Sequence, residues 1–340
     1  MIPDGYVTFA EARKTQRAQL ELAIERLSVE VCEHRDRGEF AGDGPVFVGI
    51  GASLAAAAAP VWALRSRGID ALRLGAGDLP LPYPASDHPI IGISQSGRSS
   101  ETLAVLESVD DSLRYAVVNN RPSPIADVVA RTISLGNIPD SYASTIGYTA
   151  TVTALGMIAD VWNGGELDEA WSRLPGLFGW TQDSVGVQVA ELAATFAGAT
   201  TADFVGAGPA VGSAEAGALL FREVARLPSS AMSTRQYLHG SMESAGHGVH
   251  VVFGDTRELE VAHTLSQAGH RVILITSEPV EQTATLQVVA LPKVSAAPRA
   301  VLEALVLQML VERVAHQAGI DIEEFVFHNS DTKVSDGSAT

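Results

Sequence analysis

The segment Phe47–Ser53, FVGIGAS, returns as FVGAGPA at Phe204–Ala210, an offset of 157 residues. In each copy a short apolar run ends in a glycine turn, and each copy belongs to a series in which short apolar runs alternate with amphipathic stretches. Strands that alternate with helices at this spacing form a parallel sheet, because the crossover helix carries the chain back to the edge it left. A parallel sheet in turn needs helices over both of its faces. A repeat of the series therefore implies two similar doubly wound α/β domains in tandem. The length of 340 residues agrees, since single cores stop growing near about 250–300 residues.

In the first series Val46–Ile50, Ala71–Leu74, Ile90–Ile93 and Tyr115–Val118 read as strands, with helices through Ala55–Ser66 and Thr102–Glu107. A long amphipathic helix precedes them from Thr8 to about Arg37, with Leu20, Ile24, Leu27 and Val31 three and four residues apart. The second series has helices over Ser184–Phe196, Ala214–Arg226, Arg257–Gln267 and Ala300–Ala318, and strands near Phe204, at Val249–Phe253 and at Val272–Ile275. The stretch NGGELDE after Trp162 reads as a linker. This places the first domain at residues 1–165 and the second at 166–340.

A net charge of −17 opposes binding to nucleic acid, and the basic clusters Arg13-Lys14 and Arg65–Arg67 lie among acidic and apolar residues. One cysteine, Cys32, excludes a disulfide framework or a cysteine metal cluster within the chain and reads as a small core residue. No basic start followed by an apolar core is present, and no apolar run reaches the ~18 residues that span a bilayer. The expectation is a cytoplasmic protein whose partners are small molecules. The same negative field repels an anionic substrate, so any anion site here must work through local donors.

Such donors are concentrated in ISQSGRSSET, Ile93–Thr102, where Ser94, Ser96, Ser99, Ser100 and Thr102 follow directly on a buried run. Two readings fit. One is a polar turn whose serines cap the next helix. The other is a phosphate cradle at the carboxyl end of a parallel strand, where free backbone N–H groups, side-chain hydroxyls and a close-approaching Gly97 converge. Ser53, in the GIGAS turn, supplies a further donor. The pattern GxGxA lacks the third glycine and acidic partner of a dinucleotide fingerprint. An offset of 157 carries Ser94 to Val251, in VVFGDTRE, where no hydroxyl row exists; one anion site per chain, in the first half, is expected.

The second half holds three candidates for chemistry. Glu223 lies in the apolar helical stretch LLFREVARL, either as a partly desolvated carboxylate or paired with Arg222 or Arg226. His239 sits in the glycine-containing YLHGSME, as an acid–base group or an incidental loop residue. Lys333 lies in the polar tail HNSDTKVSDGSAT, where lysines are ordinarily solvated. Arg98 either adds charge to an anion or faces water.

The order strand, GIGAS, strand, ISQSGRSSET, then YASTIGYT at Tyr142–Thr149 resembles the sugar isomerase (SIS) domain. The duplication resembles the isomerase half of the glucosamine-6-phosphate synthases over nearly the whole chain. The resemblance implies two flavodoxin-like SIS domains, with the sugar phosphate held by Ser53, Ser94, Gln95, Ser96 and Ser99. It further implies Glu223 as the proton-transferring base, His239, sixteen residues on and followed by glycine, as the ring-opening group, and Lys333 reaching back to the sugar. The histidine would come from the partner subunit of a homodimer, the tail would be ordered over the site, and neither metal nor redox cofactor is implied. Leu220 and Ile146 stand where the family carries lysines, and position 2 is Ile2, so no glutaminase nucleophile is present there. The function implied is isomerisation or deamination of a sugar or amino-sugar phosphate. The alternatives are cleavage of a phosphorylated sugar–amine adduct and non-catalytic sensing of a sugar phosphate. A sensor that regulates transcription would carry a basic helix-turn-helix, which the N-terminal helix does not resemble.

Overall fold

The computed structural model describes residues 5–246, 248–323, 325–327, 329 and 331–334. The chain divides into two units, Met1–Ser172 with Phe325–Thr340, and Arg173–Glu324. The sequence boundary at 165/166 thus moves into the first turn of a helix, and the last residues belong with the first unit. They do so because Ser100 N–H donates to Thr332 O (3.3 Å) and Val334 N–H to Arg98 O (2.9 Å), beside an isolated bridge between Ser99 and Lys333.

In the first unit, α1 (Phe9–Asp36) begins at a reciprocal cap in which Thr8 and Glu11 satisfy each other's backbone N–H groups. It buries Leu20, Ile24, Leu27 and Val31. Then follow β1 (Val46–Gly49), α2 (Ala52–Ala56), α3 (Ala58–Ser66), β2 (Leu72–Gly75), β3 (Ile90–Ser94), α4 (Ser100–Glu107), β4 (Arg114–Val118), α5 (Pro124–Asp127), β5 (Arg131–Ser134) and α6 (Ile146–Val161). The five strands are all parallel in the order β2-β1-β3-β4-β5. All five residues of β3 are buried. Helix α6 is buried on every side, and its Thr149, Thr151 and Thr153 hydroxyls donate to carbonyls one turn back, which removes the cost of burying them.

Helix α7 (Ala170–Ala194) leads into the second unit, with β6 (Ala202–Gly206), α8 (Val211–Val224), β7 (Ser229–Ser233), α9 (Thr234–Leu238), β8 (Val249–Phe253), α10 (Arg257–Gln267), β9 (Arg271–Thr276), β10 (Leu286–Ala290) and α11 (Ala296–Gln317). The order β7-β6-β8-β9-β10 repeats that of the first sheet, so the duplication is one of topology as well as sequence. Strand pairing corrects the alignment of the two copies. Val48 lies opposite Gly92 and Val205 opposite Val252, whereas an offset of 157 would carry Gly92 to Val249. Ser94 therefore corresponds to Gly254 and not to Val251. Cys32 is only half-buried. Among the described residues no helix is long and apolar enough to cross a membrane.

Close packing sets a sharp requirement at Gly92, where a Cβ would lie 2.6 Å from Leu106 Cδ1. Replacing it with valine would overpack the interface of β3 with α4. Gly92→Val should destabilise the chain by about 1–3 kcal/mol, read as a lower midpoint in urea unfolding followed by circular dichroism.

Candidate active site

Strand order reverses direction between β1 and β3, and in an open parallel sheet the crevice at such a switch lies outside the carboxyl ends of those two strands. Ser53 follows β1, and Ser94 to Ser99 close β3, so both loops flank that crevice. Ser94 is buried, with its Oγ 2.9 Å from Ser99 Oγ. Ser53, Gln95, Ser96 and Ser99 are half-buried. Ser99 occupies the N-cap position of α4, yet its side chain makes no cap bond to that helix. Gly97 has φ +65° and a Cβ there would collide with the Ser123 hydroxyl, so only glycine lets the turn close on α5.

Gln95 is committed elsewhere. Its Nε2 donates to Asp140 Oδ2 (3.0 Å), while its carbonyl accepts from the N–H groups of Asn119 (3.1 Å) and Asn120 (3.0 Å). Asp140 is the hub of the neighbouring loop. Its carboxylate also accepts from Ser141 N–H, Ser144 Oγ, Thr145 N–H and Oγ1, and Gly147 N–H, at 2.7–3.0 Å. A carboxylate so placed satisfies orphan donors at the start of α6 and complements its dipole. No motif in the sequence singled out Asp140; the signal was an acidic residue just ahead of a helical segment, in DSYAST.

Arg98 gains a definite place. Its backbone carbonyl holds Val334 N–H and its Nη1 lies 3.4 Å from Val334 O, so it clasps the tail segment along the serine turn. Ser100 Oγ adds a bond to Asp331 O (2.8 Å). Lys333 is thereby carried to the serine turn of its own unit, with an exposed side chain. His328, Ser330 and residues 335–340 of the tail lie outside the described residues.

In the second unit Glu223 lies in the last turn of α8, half-buried. Neither arginine that might pair with it does so: Arg222 Nε donates to Ser229 O (2.6 Å), and Arg226 Nη2 to Asp321 O (3.2 Å). Desolvation pushes the Glu223 carboxyl up to about 7. His239 caps the C-terminus of α9 and is exposed, and Gly240 after it has φ +133°, a turn that only glycine makes without strain. The preceding Tyr237 is wholly buried, its hydroxyl 3.1 Å from His250 Nδ1, which anchors this short helix to the sheet. Glu223 and His239 of one chain are not brought together. Phe204 packs on α8 through Phe221, whereas Val205 packs with Tyr237 and α10, and neighbouring strand residues face opposite sides. The sheet therefore stands between the two. Leu220 and Ile146, where the resemblance implies lysines, are both buried apolar residues.

No family model matches the chain. A glutamine–fructose-6-phosphate aminotransferase (isomerizing) of Chlorobaculum tepidum is 27% identical over 269 residues, covering 71% of this chain and 42% of that protein. The chain thus matches less than half the length of this curated relative. Among solved structures, the C-terminal domain of glucosamine-fructose-6-phosphate aminotransferase from Francisella tularensis aligns with a TM-score of 0.82 at 16% identity, over 94% of this chain and 99% of that one. A glucosamine-6-phosphate deaminase of Thermotoga maritima aligns with a TM-score of 0.76 at 18% identity, over 96% and 99%.

The Asp140 hub can be tested directly. Asp140→Asn turns an amide toward donors that a carboxylate accepts, and should cost on the order of 2–3 kcal/mol, measured as a loss in chemical denaturation. In fold and in sequence the chain resembles the isomerase half of glutamine–fructose-6-phosphate aminotransferase.

Proposed function

We propose that the chain is an enzyme acting on a sugar or amino-sugar 6-phosphate, isomerising aldose to ketose or deaminating the amino sugar by proton transfer between C1 and C2. The observation that carries this reading is Glu223: a half-buried carboxylate without an ion-pair partner among the described residues, at about 7, is poised to take up and return a proton near neutrality. Phosphate capture falls to the first unit. Ser53, Ser94, Ser96 and Ser99, with the start of α4 beyond its first N–H, which Thr332 O already takes, hold the dianion by neutral donors, which suits a chain of net charge −17. Gln95 contributes by tying the serine turn to Asp140. Lys333, brought to the serine turn by the tail, holds a sugar hydroxyl or developing oxyanion.

His239 opens the ring. Because Glu223 and His239 of one chain flank opposite faces of the sheet, the histidine that works with a given Glu223 comes from the second subunit of a homodimer. The apolar Leu220 and Ile146 remove two cations from the sugar's surroundings, which favours a substrate different from that of the synthases. The same loss favours, as a second reading, a sensor that binds a sugar phosphate without turning it over.

Incubation with fructose 6-phosphate or glucosamine 6-phosphate in deuterated water separates the two. Exchange at C1 or C2 is expected of the enzyme, whereas thermal stabilisation without exchange would identify the sensor. Glu223→Gln should abolish exchange with little loss of ligand affinity. In the parent kcat/KM should rise with pH through about 7, since the base works only when deprotonated. An unchanged turnover number in this variant would remove Glu223 from the mechanism. For the dimer, Glu223→Gln and His239→Asn chains, each inactive alone, should recover about a quarter of parental activity when mixed and reassorted at random. Failure to complement would place both residues in one chain's own site.

A further inference from the structure

The duplicated topology lets the two switch-point crevices be compared position by position. Ser94 corresponds to Gly254, and the N-cap residue Ser99 of α4 to the N-cap residue Thr256 of α10. Five residues separate Ser94 from α4, but only Asp255 and Thr256 separate Gly254 from α10, so the second turn has no counterpart of Ser96-Gly97-Arg98. Ser53 likewise corresponds to Ala210.

The second crevice nevertheless holds a carboxyl group of its own. Glu258, in the first turn of α10, is 3% exposed and bends its carboxylate back over the shortened turn. Its Oε1 accepts from Thr234 Oγ1 (2.7 Å) and its Oε2 from Thr256 Oγ1 (3.1 Å). Its Oε2 also lies 2.5 Å from where a Cβ on Gly254 would be. Thr234 follows β7 and Glu258 follows β8, while β6 lies between those strands, so the Thr234–Glu258 bond spans the carboxyl end of β6. On the opposite face a second chain of side chains crosses the same edge. Arg299 grips Asp255 through both terminal nitrogens and Glu303 through Nε (2.8 Å), and Glu303 accepts from Ser213 Oγ (2.5 Å) at the start of α8.

We infer that the crevice of the second unit is closed by an internal ligand, the Glu258 carboxylate. Each chain therefore holds a single phosphate ester, on its first unit. The comparison rests on the phosphate reading of the serine turn, but the closure of the second crevice stands on its own contacts. A buried carboxylate repels a phosphate dianion at short range and already uses the hydroxyl donors a phosphate would need.

Hydrogen exchange resolved by peptide, with inorganic phosphate as the probe and potassium chloride at equal ionic strength as control, tests this. In the parent protein phosphate should slow exchange across residues 94–101 and leave residues 253–262 unchanged. Glu258→Ala and Glu258→Ser remove the internal ligand. In either one, at phosphate ten times its dissociation constant, exchange at 253–262 should slow about tenfold. Glu258→Gln, which keeps the shape, should gain nothing. Slowing at 253–262 in the parent overturns the inference even if no variant folds, and so does a folded Ala or Ser variant that gains none. Absence of slowing at 94–101 in the parent counts instead against the phosphate reading of the first unit, and leaves the result at 253–262 to judge Glu258.

Discussion

Parallel pairing of β1 with β3 is the constraint from which the rest of the first unit follows. Because β2 lies beyond β1 and β4 beyond β3, the two crossovers leave in opposite directions, and the carboxyl ends of β1 and β3 are the one place on that edge where loops part. The serine turn and the GIGAS turn occupy that gap for this reason. Burial of β3 on both faces then dictates its composition: it is apolar until Ser94, where the strand ends and the first hydroxyl appears. The second sheet obeys the same pairing with β6 and β8, so its loops part in the same place, and what differs is the length of the turn after β8 and what stands there.

A chain with an excess of carboxylates must decide where each is allowed to go. Asp140 sits among six donors, five from its own loop and the start of α6 and one from Gln95 of the serine turn, and so costs little to bury. Glu303 is fully enclosed and raised by desolvation, though Arg299 and Ser213 oppose the rise. Among the described residues the half-buried Glu223 has neither kind of support, and that isolation sets it apart from these two buried acids. Burial that is compensated holds the fold together, whereas burial left uncompensated stores a free-energy difference between protonated and ionised forms.

The interior strands and the amphipathic helices were legible because burial on one or both faces leaves a period in the sequence. Strands β5, β7 and β10 were not, and all three are sheet edges. An edge strand has one neighbour and half-exposed residues, so RTIS and SSAMS carry little of the apolar signal that marks β3 or β8. Helix α6 was missed for the opposite reason, since burial all round erases the amphipathic stripe. At the site, the serine turn could be read from its composition, and Glu223 stood out as an acid in an apolar helix. The Asp140 hub, the clasp of Arg98 on Val334 and the closure by Glu258 depend on partners many residues away or on strand register, which local pattern does not encode.

The clasp of residues 331–334 on Arg98–Ser100 makes the first unit discontinuous along the chain. During synthesis the serine turn is made early and its strap comes more than two hundred residues later, after all of the second unit has left the ribosome. The turn must therefore exist for a time without the contacts that hold its outer side. The first unit reaches its final form only when the chain behind it has been translated, which couples completion of the serine turn to completion of the half that carries Glu223.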